Sequence, residues 1–175
     1  MKTLSRDTIQ KLIKLTYASS KDETRYHLCG VSIDNGKAVA TDGHIIAWLN
    51  EPELLEGITA FISSTSIKMF KKSMMVEIDN ETIKDGEITA KLGTVRKHVF
   101  TFNDSENPTI DRLKKNADVD KRLSLNPELL HRIYKAVGSP RSAFSLVEGK
   151  TKISPIDVLI NGDVRVGMIM PMKVN

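Results

Sequence analysis

The sequence predicts an α+β protein in which helices pack on antiparallel sheets. Three segments carry apolar residues at helical spacing, and each is followed by alternating stretches broken by Asn-Gly or Asp-Gly pairs. With 175 residues, 40% of them hydrophobic, the chain can bury the core of one domain and a smaller appendage.

In the first helical segment Ile9, Leu12 and Ile13 share a face, Leu4 and Tyr17 lie near its ends, and Lys11 and Lys14 fall elsewhere. A meander follows. Arg25 to Ile33 reads as a strand, Asn35-Gly36 turns the chain, Lys37 to Thr41 returns, Asp42-Gly43 turns again, and His44 to Leu49 closes the set. Asn and Gly tolerate the positive φ that tight hairpin turns require. The second helix turns Ile67 and Phe70 inward and surrounds them with Lys68, Lys71 and Lys72. Met75 to Ile78, Ile88 to Leu92 and Lys97 to Phe102 form the next strand set, with Asp85-Gly86 as a turn. Asn103 to Asp120, rich in Asn, Asp and Lys, connects to the third helix. That helix opens on Asn126-Pro127, a cap followed by proline at the favourable first position, and its stripe is Leu129, Leu130, Ile133 and Val137. Arg132 and Lys135 lie off the stripe, and Gly138-Ser139-Pro140 stops the helix. Ala143 to Val147, Thr151 to Val158 and Val164 to Met170 form a last strand set, with Asn161-Gly162 before its final strand. The chain thus reads as three helix-plus-sheet units, two making one domain and the third a partial copy.

The formal charge of +4 favours a polyanion without requiring one. The single cysteine, Cys29, excludes an intrachain disulfide and is expected as a small buried hydrophobe in a reducing compartment. Charged residues begin the chain with no apolar signal region, and no stretch approaches membrane-span length, so a soluble cytoplasmic protein with no membrane contact is expected. His27, His44, His98 and His131 show no zinc-ligand spacing, and there is no glycine-rich phosphate loop, so neither metal nor cofactor is expected. A hydrolase would need Asp42 and His44 as an acid–base pair with Ser32 or Cys29 as nucleophile. In a strand neighbouring side chains alternate faces, and the turn already explains Asp42-Gly43, so catalysis is the weakest reading.

Thr24-Arg25-Tyr26-His27-Leu28-Cys29-Gly30-Val31, followed by Val39-Ala40-Thr41-Asp42-Gly43-His44, resembles the middle domain of the bacterial DNA polymerase III beta sliding clamp. That family carries an arginine, a leucine and a glycine in one strand and then Ala-Thr-Asp-Gly-His-Arg-Leu-Ala across a hairpin. Pro108, Arg112 and Leu113 are similar to the linker that leaves that domain, and Met168-Ile169-Met170-Pro171-Met172-Lys173-Val174 resembles the family's Met-Pro-Met-Arg-Leu ending. The resemblance implies DNA-clamp (processivity-fold) architecture: a complete clamp-like domain at 1–112, a linker at 113–120, and a half domain at 121–175. The family's first domain and the first half of its last domain have no counterpart.

In the family these stretches meet in a cleft where polymerases, the clamp loader and repair proteins insert a short linear motif. Carried over, Leu28, Thr41, Gly43, His44, Ile46, Pro108, Leu113, Met168, Met170, Pro171 and Met172 line the cleft, with Arg25, Arg112 and Lys173 on its polar side. Flexible, polarizable methionines suit a surface that repacks around different ligands, though a strand end bearing three of them also reads as core packing. Ile45 replaces the family's arginine, making the rim more apolar, and Lys173-Val174 replaces Arg-Leu, losing the planar guanidinium fork. The resemblance also implies that Lys11, Lys14, Lys68, Lys71, Lys72, Arg132 and Lys135 face double-stranded DNA without sequence preference. The same cations serve equally as the wet faces of their helices.

The family closes rings from twelve half-domain units, which four chains of three units would supply. A two-fold dimer that rebuilds a domain from two third units, and a monomer, are also consistent. Two functions follow: an oligomeric ring that tethers a polymerase, a compact clamp of the kind expected of a phage or mobile element, or a non-encircling mimic that competes for clamp-binding proteins.

Overall fold

The computed structural model describes residues 1–96, 125–137, 144–147, 155–161 and 164–171. Its first 96 residues repeat one βαβββ pattern. The first copy runs β1 (Lys2–Ser5), α1 (Arg6–Leu15), β2 (Gly30–Asp34), β3 (Lys37–Thr41) and β4 (Ile45–Asn50). A short helix, α2 (Pro52–Leu55), leads to the second: β5 (Thr59–Ser63), α3 (Ser64–Met69), β6 (Met75–Ile78), β7 (Thr82–Asp85) and β8 (Ile88–Lys91). The third comprises α4 (Pro127–Val137), β9 (Phe144–Val147), β10 (Ile156–Ile160) and β11 (Val164–Ile169).

One local device starts all three main helices. Ser5 and Ser63 have extended backbones, and their hydroxyls accept the N–H of Thr8 and Ser66. Asn126 does the same for Glu128, with Pro127 at the first helical position. Counting from the caps, Ile9, Ile67 and Leu130 occupy one equivalent position, and Leu12, Phe70 and Ile133 the next. Ser63→Ala is therefore expected to cost about 1 kcal/mol in chemical denaturation. A cost near zero would show that α3 is held by packing alone.

The units interleave. One sheet has the order β1-β6-β7-β8 and the other β5-β2-β3-β4-β11-β10-β9. Each leading strand thus pairs in the other unit's sheet: Leu4 lies opposite Val76, and Ile62 opposite Val31. Helix α1 packs against both α3 and α4. Leu4, Ile9, Leu12, Ile62, Ile67, Phe70 and Val76 share one buried cluster with Ile133, Val158 and Ile169 of the third unit.

The hairpin turns behave as their residues require, with φ of 43° at Asn35, 95° at Gly36, 56° at Gly86 and 53° at Asn161. Other expectations are corrected. The strand expected from Arg25 begins only at Gly30, because Glu23–Leu28 forms 3-10 turns capped by Asp22, whose carboxylate accepts the Thr24 N–H. Leu4 belongs to a strand and not to the end of a helix. β5 and β7 had no counterpart in the expected elements. The last strand set builds no sheet of its own, since β11 pairs with β4 and extends the first unit's sheet. The strand at 97–102, the linker at 113–120 and the stop at 138–140 lie outside the described residues. Among those described, no helix is long and apolar enough to cross a membrane.

Candidate functional site

The junction of β4 with β11 brings the end of the chain beside the first meander. Ile45 lies opposite Ile169, Ile46 opposite Met168 and Ala47 opposite Gly167, and the Met170 N–H donates to the His44 carbonyl at 2.9 Å. Glycine at 167 permits this approach, because a Cβ there would stand 2.6 Å from the Ile46 carbonyl oxygen. On the meander side, the Asp42 carboxylate accepts the N–H groups of His44 and Ile45 at 2.8 and 3.0 Å. Gly43 takes a φ of 94°, and the Arg25 guanidinium lies against it, 2.7 Å from where a Cβ would be. Thr41 ties the corner by donating to the Ile45 carbonyl and accepting the Gly43 N–H.

These elements form an open cleft of about 260 Å³. Arg25, Leu28, Thr41, Gly43, His44, Ile46, Met168 and Met170, all expected in a cleft, line it together. His27, Pro155 and Ile169 join them without having been expected in the cleft, and Ile45, expected at its rim, lines it too. Pro171 is described but does not line the cavity, while Pro108, Arg112, Leu113, Met172 and Lys173 lie outside the described residues. Leu28, Ile45, Ile46 and Met168 make a buried apolar floor, and Arg25, His44 and Met170 are exposed around it. The volume lies below the ~300–1,000 Å³ of pockets for drug-sized molecules and suits a few apolar side chains. Ile45, expected to make the rim more apolar, lies in the floor instead: it is 2% exposed and belongs to the main core.

Behind the floor stands a group that sequence reasoning missed. Arg165 donates from Nε to Asp157 Oδ1 at 2.7 Å and from Nη2 to Met168 Sδ at 2.8 Å, and its guanidinium lies 5.2 Å from the centre of the Trp48 ring. The side chains of the pair are 6% and 15% exposed. Burial pushes the Asp157 carboxyl above its ordinary range, against the opposing pull of Arg165. Opposite charges on the two strands of one expected hairpin were the signal that could have revealed this pair.

Arg132, expected on a DNA-facing surface, is committed within the chain. It pairs with Asp42 at 2.6 Å and donates to the carbonyls of Tyr17 and Ser19, both at 3.0 Å, fastening α4 to the first unit. Both Asp42 oxygens are thereby engaged, which removes an acid–base pairing with His44. Ser32 is buried in β2. Cys29 is half-buried, its thiol donates to the Asp22 carbonyl, and burial pushes that thiol up and away from the thiolate. Lys11 pairs with Glu51 at 2.8 Å and Asp7 at 3.0 Å, and these bonds hold its ammonium above the usual lysine range. Lys14, Lys68, Lys71, Lys72 and Lys135 are exposed. Among the described residues no group of three His, Cys, Asp or Glu is placed to hold a metal ion.

No protein-family model and no curated protein matches the chain. Solved structures do. The DNA polymerase III subunit beta of Pseudomonas aeruginosa superposes with a TM-score of 0.66 at 15% identity, over 98% of this chain and 66% of that one. The DNA polymerase sliding clamp of Bacillus subtilis gives 0.62 at 15%, over 99% and 64%. The sliding clamp of Bartonella birtlesii, solved bound to griselimycin, gives 0.60 at 16%, over 98% and 65%. The chain spans about two thirds of the length of these subunits. At such identities the likeness establishes the fold alone, and that fold, antiparallel sheets carrying helices, is the one expected.

Proposed function

We propose that this chain, having the fold of a bacterial DNA polymerase III beta sliding clamp, works by docking and not by catalysis, in the cytoplasm. Its cleft takes the short linear motifs of replication proteins, DNA polymerase among them. The supporting observation is that β11 pairs with β4 so that Met168 and Met170 share one cavity with Arg25, Leu28, Thr41 and His44. Pro108, Arg112, Leu113, Pro171, Met172 and Lys173 complete the cleft in this reading. An apolar floor receives apolar side chains, and Arg25 offers charge-assisted bonds to carbonyl or acidic groups of the ligand. Lys14, Lys68, Lys71, Lys72 and Lys135 supply non-directional attraction to double-stranded DNA once an oligomer encircles it, whereas Lys11 and Arg132 contribute less because they are paired internally.

A labelled clamp-binding peptide titrated into the full chain tests the cleft. Met170→Ala is expected to weaken binding about tenfold, or about 1.4 kcal/mol, because Met170 is an exposed apolar side chain lining the cavity that a bound motif would cover. Equal affinity in wild type and variant would remove the cleft reading. A second reading, a non-encircling mimic that competes for clamp-binding proteins, draws on the cavity's being formed in a chain that covers about two thirds of its structural neighbours. Retention on closed circular DNA with release on linearisation is expected of a ring and not of the mimic.

A further inference from the structure

We infer that Arg165 is a positioning residue of the cleft: by holding the Met168 sulfur it fixes the shape of the floor, so that the cleft discriminates sharply among the apolar side chains a ligand offers. This rests on the docking reading above, to which it adds a residue that does not line the cleft. Alternation along the strands supplies the frame. Ile45, Ala47 and Ile169 belong to the main core, whereas Ile46, Trp48 and Met168 make a separate small cluster with Val39. Strand register then sets Thr41, Ile46, Met168 and Asp157 side by side across β3, β4, β11 and β10. The first three line the cleft, and the fourth is the carboxylate that anchors Arg165. Cleft floor and buried ion pair are successive parts of one row.

The chemistry of the sulfur decides what that row does. A methionine side chain is flexible and ordinarily fills whatever gap it meets. Met168 is denied that freedom: Arg165 Nη2 donates to its Sδ, Asp157 and the Trp48 ring hold the guanidinium in turn, and the residue is 6% exposed. Met170, two residues on and also lining the cleft, is 39% exposed. The cleft therefore combines a fixed methionine in its floor with an adaptable one at its rim. A fixed apolar floor rejects a side chain one methylene wrong by about tenfold or more, whereas a floor that repacks tolerates it. A buried ion pair is seldom more stabilising than apolar residues of the same size, so stability alone does not account for one set beside a binding surface.

Labelled clamp-binding peptides that differ in one apolar residue, leucine, isoleucine, methionine or phenylalanine, are titrated into the full chain. Wild type is expected to separate the best from the worst by about tenfold or more. Asp157→Leu combined with Arg165→Met, which keeps the volume filled and the fold stable, is expected to narrow that spread to about threefold. Arg165→Lys, which keeps a cation but loses the planar fork that serves carboxylate and sulfur together, should narrow it as well. In methionine-methyl carbon NMR the Met168 resonance, identified by its loss in Met168→Leu, should move toward the rotamer-averaged position in both Arg165 variants. A wild-type spread of about threefold or less, an undiminished spread in the folded variants, or an unmoved Met168 resonance would each overturn the inference while leaving the cleft in place. Absence of peptide binding in wild type would instead remove the docking reading, and this selectivity with it.

Discussion

Arg165→Ala is expected to lower the unfolding free energy by about 3–5 kcal/mol, the cost of leaving one member of a buried ion pair without its partner. Both side chains are largely shielded from water, and the guanidinium also holds the Met168 sulfur and stacks on Trp48. Removing it leaves the Asp157 carboxylate facing apolar neighbours. Replacing both members, as Asp157→Leu with Arg165→Met, should recover most of the loss, because matched apolar groups carry no desolvation cost. The pH dependence has a definite sign. Burial already raises the Asp157 pKa in the folded state, so its contribution is present below the unfolded value and is lost as pH rises through the folded one. Without Arg165 that pKa rises further, and the penalty should shrink as pH falls toward the carboxylate range. Guanidinium denaturation at several pH values reads this directly, and a pH-independent penalty below 1 kcal/mol, roughly the surface-pair range, would show that the pair is solvated.

The second large effect is expected at Gly167. A valine there would push its Cβ to 2.6 Å from the backbone oxygen of Ile46, with Ala47 Cα and Ile133 Cδ1 close behind. Backbone cannot swing aside as a side-chain tip can, so β11 must part from β4, at about 3 kcal/mol, the upper range for overpacking. The Met170 N–H bond to His44 would be lost with the register, and peptide affinity should fall well beyond the tenfold expected for Met170→Ala. By contrast, an added Cβ at Gly43 would meet only the movable end of Arg25, although its φ of 94° still strains any other residue. Gly167→Val with wild-type melting and wild-type peptide binding would contradict the described junction.

Local chemistry was readable where it is local. Asn35-Gly36 and Asp85-Gly86 announce turns because few residues accept positive φ, and Asn126-Pro127 announces a helix because a cap and a pre-set φ act within one turn. That Arg25, Leu28, Thr41, Gly43, His44, Ile46, Met168 and Met170 would line one cavity was legible through their resemblance to a known pattern. What was not legible depends on partners far along the chain. Arg132 has the spacing of a solvent-facing cation, and only the fold brings Asp42 within 2.6 Å of it. Leu4 looks like the end of an amphipathic helix until Val76 pairs with it. The segment Glu23–Leu28 alternates like a strand, yet the Asp22 cap winds it into 3-10 turns.

The exchange of leading strands has a kinetic consequence. The sheet β1-β6-β7-β8 cannot close until Leu4 has met Val76, and β2 gains its outer neighbour only when Val31 meets Ile62, so loop-closure entropy must be met before these pairings return any stabilisation. Such non-local topologies fold in milliseconds to seconds, slower than helical bundles. Severed at exposed Gly57, the polypeptide would yield two fragments, each short of the strand that completes its own sheet, and native structure could return only by their mutual complementation.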